Sequence, residues 1–205
     1  MAAVAQPVTT AGNLYDKYNT SNPVARRLVR GFFDALDALV DEAAPGQLLE
    51  VGCGEGIVTE HVAGRLGPSA RVVGLDLDVP QLHAAWERRR GVEFVAGDAL
   101  ALPFDDGTFD VVALIESLQL MADPARALGE AARVARRALL VTVPREPLWR
   151  ILNVARGAYV RSLGDTPGHR HHFSRATLVA ALEPHGRIIE VRTPVPWTLA
   201  LVRLG

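Results

Sequence analysis

Cysteine occurs once in the 205 residues, at Cys53, so no internal disulfide can form and the chain reads as made for a reducing interior. Lysine also occurs once, at Lys17, and the rest of the 22 basic residues are arginine. A phosphate-cradling G-x-x-x-x-G-K-[ST] loop is thereby excluded, because no glycine-rich stretch ends in lysine. Positive charge is not in excess either. A formal net charge of −1 removes the broad basic field that non-specific nucleic-acid binding requires, so no nucleic-acid partner is expected. No stretch approaches the roughly 18 consecutive apolar residues that would span a bilayer. Met1 to Thr10 has neither the basic start nor the apolar core of a signal peptide, and a cytoplasmic location is expected. Gly168-His169-Arg170-His171-His172 lacks carboxylates or cysteines at ligand spacing, so no metal is expected there.

What the chain does have is a sequence 49% apolar and 22% charged, the balance of one globular domain. Leu48-Leu49-Glu50-Val51-Gly52-Cys53-Gly54-Glu55-Gly56 is an apolar run that breaks into alternating glycines, predicting a buried strand, a turn, and a helix from about Ile57. Glycine accepts positive φ and lets a ligand lie against the backbone, while the helix start points unpaired N–H groups at it. The dinucleotide fingerprint G-x-G-x-x-G is broken, because Ile57 stands where its third glycine belongs. Strands are predicted at 48–51, 71–75, 92–95, 109–114, 138–143, 187–191 and 198–203. Helices are predicted at 24–40 (capped by Asn22 ahead of Pro23), 57–66, 80–90 (capped by Asp78), 124–136 and 175–182 (capped by Ser174). Arg136-Arg137 reads as a short link. The strand and helix alternation implies right-handed βαβ units and a doubly wound parallel sheet. Asp76 ends the second strand at its carboxyl end, where an acidic side chain can accept both hydroxyls of a ribose.

The run from Glu50 to Gly56, then Val73-Gly74-Leu75-Asp76-Leu77-Asp78, Val95-Ala96-Gly97-Asp98-Ala99 and Thr108-Phe109-Asp110-Val111-Val112 resemble, in order and spacing, the motifs of the class I S-adenosylmethionine-dependent methyltransferases. The resemblance is strong from Leu48 to Pro144 and weak on both flanks. It implies an α/β, single-domain, Rossmann-like doubly wound sheet of seven strands, mostly parallel with the last antiparallel, and helices on both faces. S-adenosyl-L-methionine is the cofactor it implies. Glu50, Gly52, Cys53, Gly54, Gly56, Asp76 and Leu77 would then line the cofactor. Asp98 would accept the adenine amino group while the Ala99 amide meets a ring nitrogen, and backbone carbonyls of Ile115 and Glu116 would hold the ammonium. Relatives often carry a Glu-His pair where Gln119 and Leu120 stand here, so no histidine base comes from that helix.

By this reading residues 1–12 form a flexible tail, 13–45 an N-terminal helical cap, 46–143 the cofactor-binding core, 144–173 a substrate lid, and 174–205 a C-terminal helix and strands. Tyr15 and Tyr18 either anchor the first helix or, as the resemblance implies, one of them lines the transfer cavity. Leu148, Trp149, Ile151, Leu152, Ala155, Tyr159 and Leu163 approximate one helical face, with Arg150, Arg156, Arg161 and Arg170 beside it. That segment is either an amphipathic helix on the core or a lid, resting on a membrane or meeting an anionic substrate group. His169 and His172 are candidate general bases, since an unperturbed imidazole titrates near working pH. The expected function is methyl transfer to an O, N or C atom of a small-molecule or lipid-like acceptor, by a monomer or homodimer. The rival readings are a non-catalytic binder of the cofactor or its demethylated form that works through a partner, and an NAD-dependent oxidoreductase.

Overall fold

The computed structural model describes residues 21–205. The expectations for residues 1–12 and for Tyr15 and Tyr18 lie outside the described residues.

Helix α1 (Pro23–Ala43) starts where the Asn22 side chain accepts from the amides of Val24 and Ala25 and proline occupies the first turn. Phe32, Ala35, Leu36, Leu39 and Val40 fall on one stripe and are buried. The chain continues through β1 (Gln47–Val51), α2 (Ile57–Leu66), β2 (Arg71–Asp76), α3 (Pro80–Trp86), β3 (Glu93–Ala96) and β4 (Phe109–Ile115). After β4 come α4 (Pro124–Val134), β5 (Ala135–Pro144), α5 (Leu148–Ala155), α6 (Arg175–Leu182), β6 (Gly186–Arg192) and β7 (Trp197–Leu204).

The seven strands form one sheet in the order β3-β2-β1-β4-β5-β7-β6. β7 lies between β5 and β6 and runs antiparallel to both, while β1 to β5 pair in parallel. Successive strand residues point to opposite faces, and both faces are covered. Leu49, Val51, Val73, Val112, Leu139 and Val141 pack under α4 and α6, while Leu48, Val72, Val111, Leu140 and Leu201 pack under α1 and α2. The order reverses between β1 and β4, and in an open parallel sheet that reversal opens a crevice at the carboxyl ends of the strands.

Four local expectations are corrected. The cap of α3 is Val79, not Asp78, which pairs instead with His83 at 3.0 Å. The same helix stops at Trp86 because Arg89 and the Arg90 amide turn back to Glu60. No link separates α4 from β5, so Arg136 and Arg137 lie within the strand. Arg136 reaches Asp110 at 3.1 Å, and Arg137 reaches the carbonyls of Ala43 and Ala44. The helix predicted through Leu163 ends at Ala155, since Gly157, Tyr159 and Leu163 all take positive φ and fold the chain back.

Candidate functional site

Gly52, Gly54 and Gly56 all take left-handed φ (77°, 53° and 74°), but only two of them are there for packing. A Cβ on Gly52 would lie 2.4 Å from Ser117, whose hydroxyl donates to the Val51 carbonyl, and one on Gly56 would strike the Phe94 ring at 2.5 Å. At Gly54 a Cβ would meet nothing within 4 Å.

The loop is held from below and from the side. Gly52 and Cys53 both donate to the Leu75 carbonyl, and Gly54 donates to the Asp76 carboxylate at 2.6 Å. The other Asp76 oxygen accepts from Leu77. A carboxylate offers about four acceptor positions, so Asp76 keeps capacity for further donors. Burial raises its pKa, against the two backbone hydrogen bonds that lower it. From α3, Trp86 Nε1 donates to the Gly54 carbonyl at 2.8 Å, and Arg89 Nε donates to that of Glu55. Trp86 also stacks on Phe94, with ring centroids 5.1 Å apart.

Behind the loop Glu50 is 2% exposed, and its Oε2 has no hydrogen-bond partner among the described residues. Burial pushes its pKa up to about 8; Thr59 opposes the rise and the Asp76 charge adds to it. Burial also pushes the Cys53 thiol up, with Glu50 and Asp76 contributing, so Cys53 packs as a neutral side chain. A buried carboxylate without a cationic partner is costly, and a pocket built around Glu50 and Asp76 gains when a cation enters it. The residues therefore fit a positively charged nucleoside.

Asp98 and Ala99 follow β3, where the Gly97 amide donates to the Asp76 carbonyl and brings the two acidic strand ends together. Asp98 Oδ1 accepts from Leu100. Leu77 is 45% exposed at the rim. Ile115 and Glu116 close β4. Glu116 has φ 56°; its amide donates to Thr142 and its carboxylate accepts from Trp197 Nε1 at 2.8 Å. Gln119 Nε2 donates to the Glu116 carbonyl, so one of the two lone pairs assigned to an ammonium is already used.

Loop 165–173 lies over the ends of β4 and β5, because the amides of Arg170 and His171 donate to the Gln119 carbonyl and that of Glu146 to Phe173. His169 stands 6.3 Å from the Trp149 ring, and Trp149 stands 5.8 Å from Trp197. These rings make an aromatic wall that ends on Glu116. His172 is placed apart from His169: its Nε2 meets Asp165 at 2.8 Å, and Glu146 lies within electrostatic reach. Sequence reasoning missed Trp197, Asp165, Glu146 and Trp86 as site neighbours. Trp197 and Glu116 are 81 positions apart, so no local spacing could have paired them. Among the described residues no group of three or more His, Cys, Asp and Glu is arranged to hold a metal ion.

Residues 49–140 match the model of a family described as a methyltransferase domain. Over 204 residues the chain is 32% identical to a demethylmenaquinone methyltransferase of Roseiflexus castenholzii, covering 92% of this chain and 84% of that relative. Further relatives of that description are matched over about half their length or less. Among solved structures, a SAM-dependent methyltransferase from Aquifex aeolicus superposes with a TM-score of 0.64 at 18% identity, covering 90% of this chain and 94% of the other. Magnesium protoporphyrin IX methyltransferase from Synechocystis, with bound SAH, gives 0.63 at 20% identity, covering 91% and 89%. At those identities the two structures establish the fold.

Proposed function

This chain belongs to the class I S-adenosylmethionine-dependent methyltransferases, and from that premise we propose that its acceptor is a quinone-like ring carrying a lipid tail, methylated on carbon. The observation that carries the proposal is the identity of 32% over 84% of a demethylmenaquinone methyltransferase. The partly exposed rings of Trp149 and His169 support it, since flat rings stack favourably on aromatic faces.

The cofactor, when bound, supplies an electrophilic methyl on a sulfonium. In this reading the loop of Glu50, Gly52, Cys53, Gly54 and Gly56 receives its amino-acid end together with Ile115 and Glu116. Asp76 takes the ribose hydroxyls, Asp98 and Ala99 the adenine edge, and Leu77 the adenine face. The 46–143 core is thus the cofactor half, and 144–173 the acceptor lid. The chain's own work is to hold acceptor and methyl in line in a dry cleft, which is worth roughly 7 to 11 kcal/mol. A reduced ring must also lose a hydroxyl proton for its carbon to become nucleophilic, and a ring proton afterwards. His169, beside the aromatic wall, is the base we assign to the first loss, and His172, held by Asp165, is the second candidate. Tyr15 keeps its proposed place in the cavity lining.

The reading extends to a monomer or homodimer in the cytoplasm, consistent with a lone cysteine, and to peripheral membrane contact through 144–173. Among the described residues no helix is long and apolar enough to cross a membrane. Incubation with labelled cofactor and a reduced short-tailed demethylmenaquinone tests the assignment: the ring should gain one methyl on carbon by mass spectrometry. Cofactor binding without that product, and labelling of a different acceptor in extract, would replace the acceptor class. Transfer to nothing would favour the non-catalytic binder.

A further inference from the structure

Ile151 and Val154 on the outer side of α5, and Val160 and Leu163 in the turn after it, are 58%, 41%, 53% and 72% exposed. These four are half of the large apolar side chains with strong exposure among the described residues, gathered within one short segment. With Pro147 and Arg150, Ile151, Val154 and Leu163 line a shallow groove of about 370 Å3.

The segment is not loosely held. Asn153, 3% exposed, donates from Nδ2 to the Gly164 carbonyl at 2.9 Å and to Thr166 at 3.2 Å, and Arg150 Nε donates to the Leu163 carbonyl. Gly164 passes so close to α5 that a Cβ there would sit 2.1 Å from the Arg150 carbonyl oxygen. Leu163 is kept at φ 52°, a conformation that disfavours a branched side chain, while its side chain faces outward. Among the described residues no burial offsets that strain.

Charge accompanies the apolar face. Between Arg145 and His172 stand five arginines against Glu146 and Asp165, in a chain whose net charge is −1. Both carboxylates are engaged internally, Glu146 with the Arg150 amide and Asp165 with His172. Apolar side chains with Arg150 among them and further arginines in the same segment match the interface of an anionic bilayer, where the apolar groups enter the acyl boundary and the cations meet headgroups. A second copy fits less well, since a two-fold contact through this face would set the same arginines against each other.

Resting on the lipid-tailed acceptor proposed above, we infer that the outer face of α5 and the turn to Leu163 is a docking surface for an anionic lipid bilayer. The inner side of the same clamped segment carries Trp149 at the aromatic wall, so docking would present the cleft mouth to a tail embedded in the membrane.

Flotation of the full chain with phosphatidylcholine vesicles, with and without phosphatidylglycerol, tests this, with calorimetry against SAH run on the same preparation. Flotation only with phosphatidylglycerol, weakened by salt, is expected. The Ile151→Ser/Leu163→Ser double variant should lower the bound fraction by about tenfold, with SAH affinity unchanged. No flotation while SAH still binds would overturn the docking surface alone. So would flotation undiminished in the double variant, or a wild-type dimer that the double variant dissolves without any vesicle binding. Flotation without SAH heat would sink the cofactor assignment and leave the docking surface standing.

Discussion

Glu50 lies buried under the glycine loop with its pKa near 8, so in the free protein it is largely protonated at neutral pH. The raised folded pKa means that its contribution to stability is complete below the unfolded value of 4.5 and is lost as pH rises through about 8. Thermal unfolding of the free protein should therefore show stability falling across that window by a few kcal/mol, and Glu50→Gln should flatten the slope. A bound cation favours the ionised form, so cofactor binding near pH 7 should release about one proton, seen as heats that vary with buffer ionisation enthalpy. Unchanged heats across buffers would place Glu50 outside the cation's reach. The glycines separate in the same way. Gly52→Ala meets Ser117 and should cost roughly 2–4 kcal/mol of stability through strain and overpacking. Gly54→Ala meets no protein atom, so after the left-handed penalty of about 1–2 kcal/mol its main effect should be on SAH affinity, down at least tenfold by roughly 1.4 kcal/mol or more. The alternation of glycines was visible in the sequence. Which glycine is left unpacked was not, because that depends on Ser117 and Phe94, which arrive from β4 and β3.

At the scale of elements, α3 does more than connect two strands. Its Trp86 indole and the following Arg89 bind loop carbonyls, and Arg89 also pairs with Glu60 at 3.0 Å. Trp86→Phe keeps the stack on Phe94 but removes the indole donor, and should weaken SAH binding several-fold while lowering stability by about 1 kcal/mol, read by calorimetry and urea titration. Strand β7 makes a second such contact. Trp197→Phe removes the indole donor from the Glu116 carboxylate without touching the glycine loop; with Glu116 proposed at the cofactor's amino-acid end, SAH affinity should fall several-fold together with turnover. Turnover falling while SAH affinity holds would mean that Glu116 serves the acceptor rather than the cofactor. Boundaries in this half were poorly legible from sequence. Apolar spacing carries on through Leu163, yet the helix stops at Ala155 because Asn153 and Gly164 clamp the chain into a hairpin, a contact that periodicity does not encode.

Across the whole molecule, the first described helix packs on the last strand: Phe32 and Trp197 lie with ring centroids 5.0 Å apart, and Leu36 and Leu39 are fully buried in the same core. Leu36→Ala should cost about 2–5 kcal/mol in urea unfolding without altering SAH stoichiometry. Asp110 joins the far end of the sheet, accepting from the Gly46 and Gln47 amides and from Arg136, and so ties α1's exit, β4 and β5 together away from the site. Order and type of the elements were legible because buried parallel strands need continuous apolar runs and helices need a 3.6-residue stripe, both local properties. The candidate cofactor residues were legible for a related reason: the glycines, Asp76 and Asp98 stand at strand ends, where chain order and sheet order coincide. The proposed acceptor side was decided only by the tertiary structure. Glu116, Trp149, Asp165, His169 and Trp197 come from distant stretches, and Trp197 meets Glu116 because β7 inserts antiparallel beside β5 and sets Trp197 opposite Pro144 at the carboxyl end of that strand. A side chain's chemistry is written in the sequence, but its neighbours are chosen by the packing of the sheet.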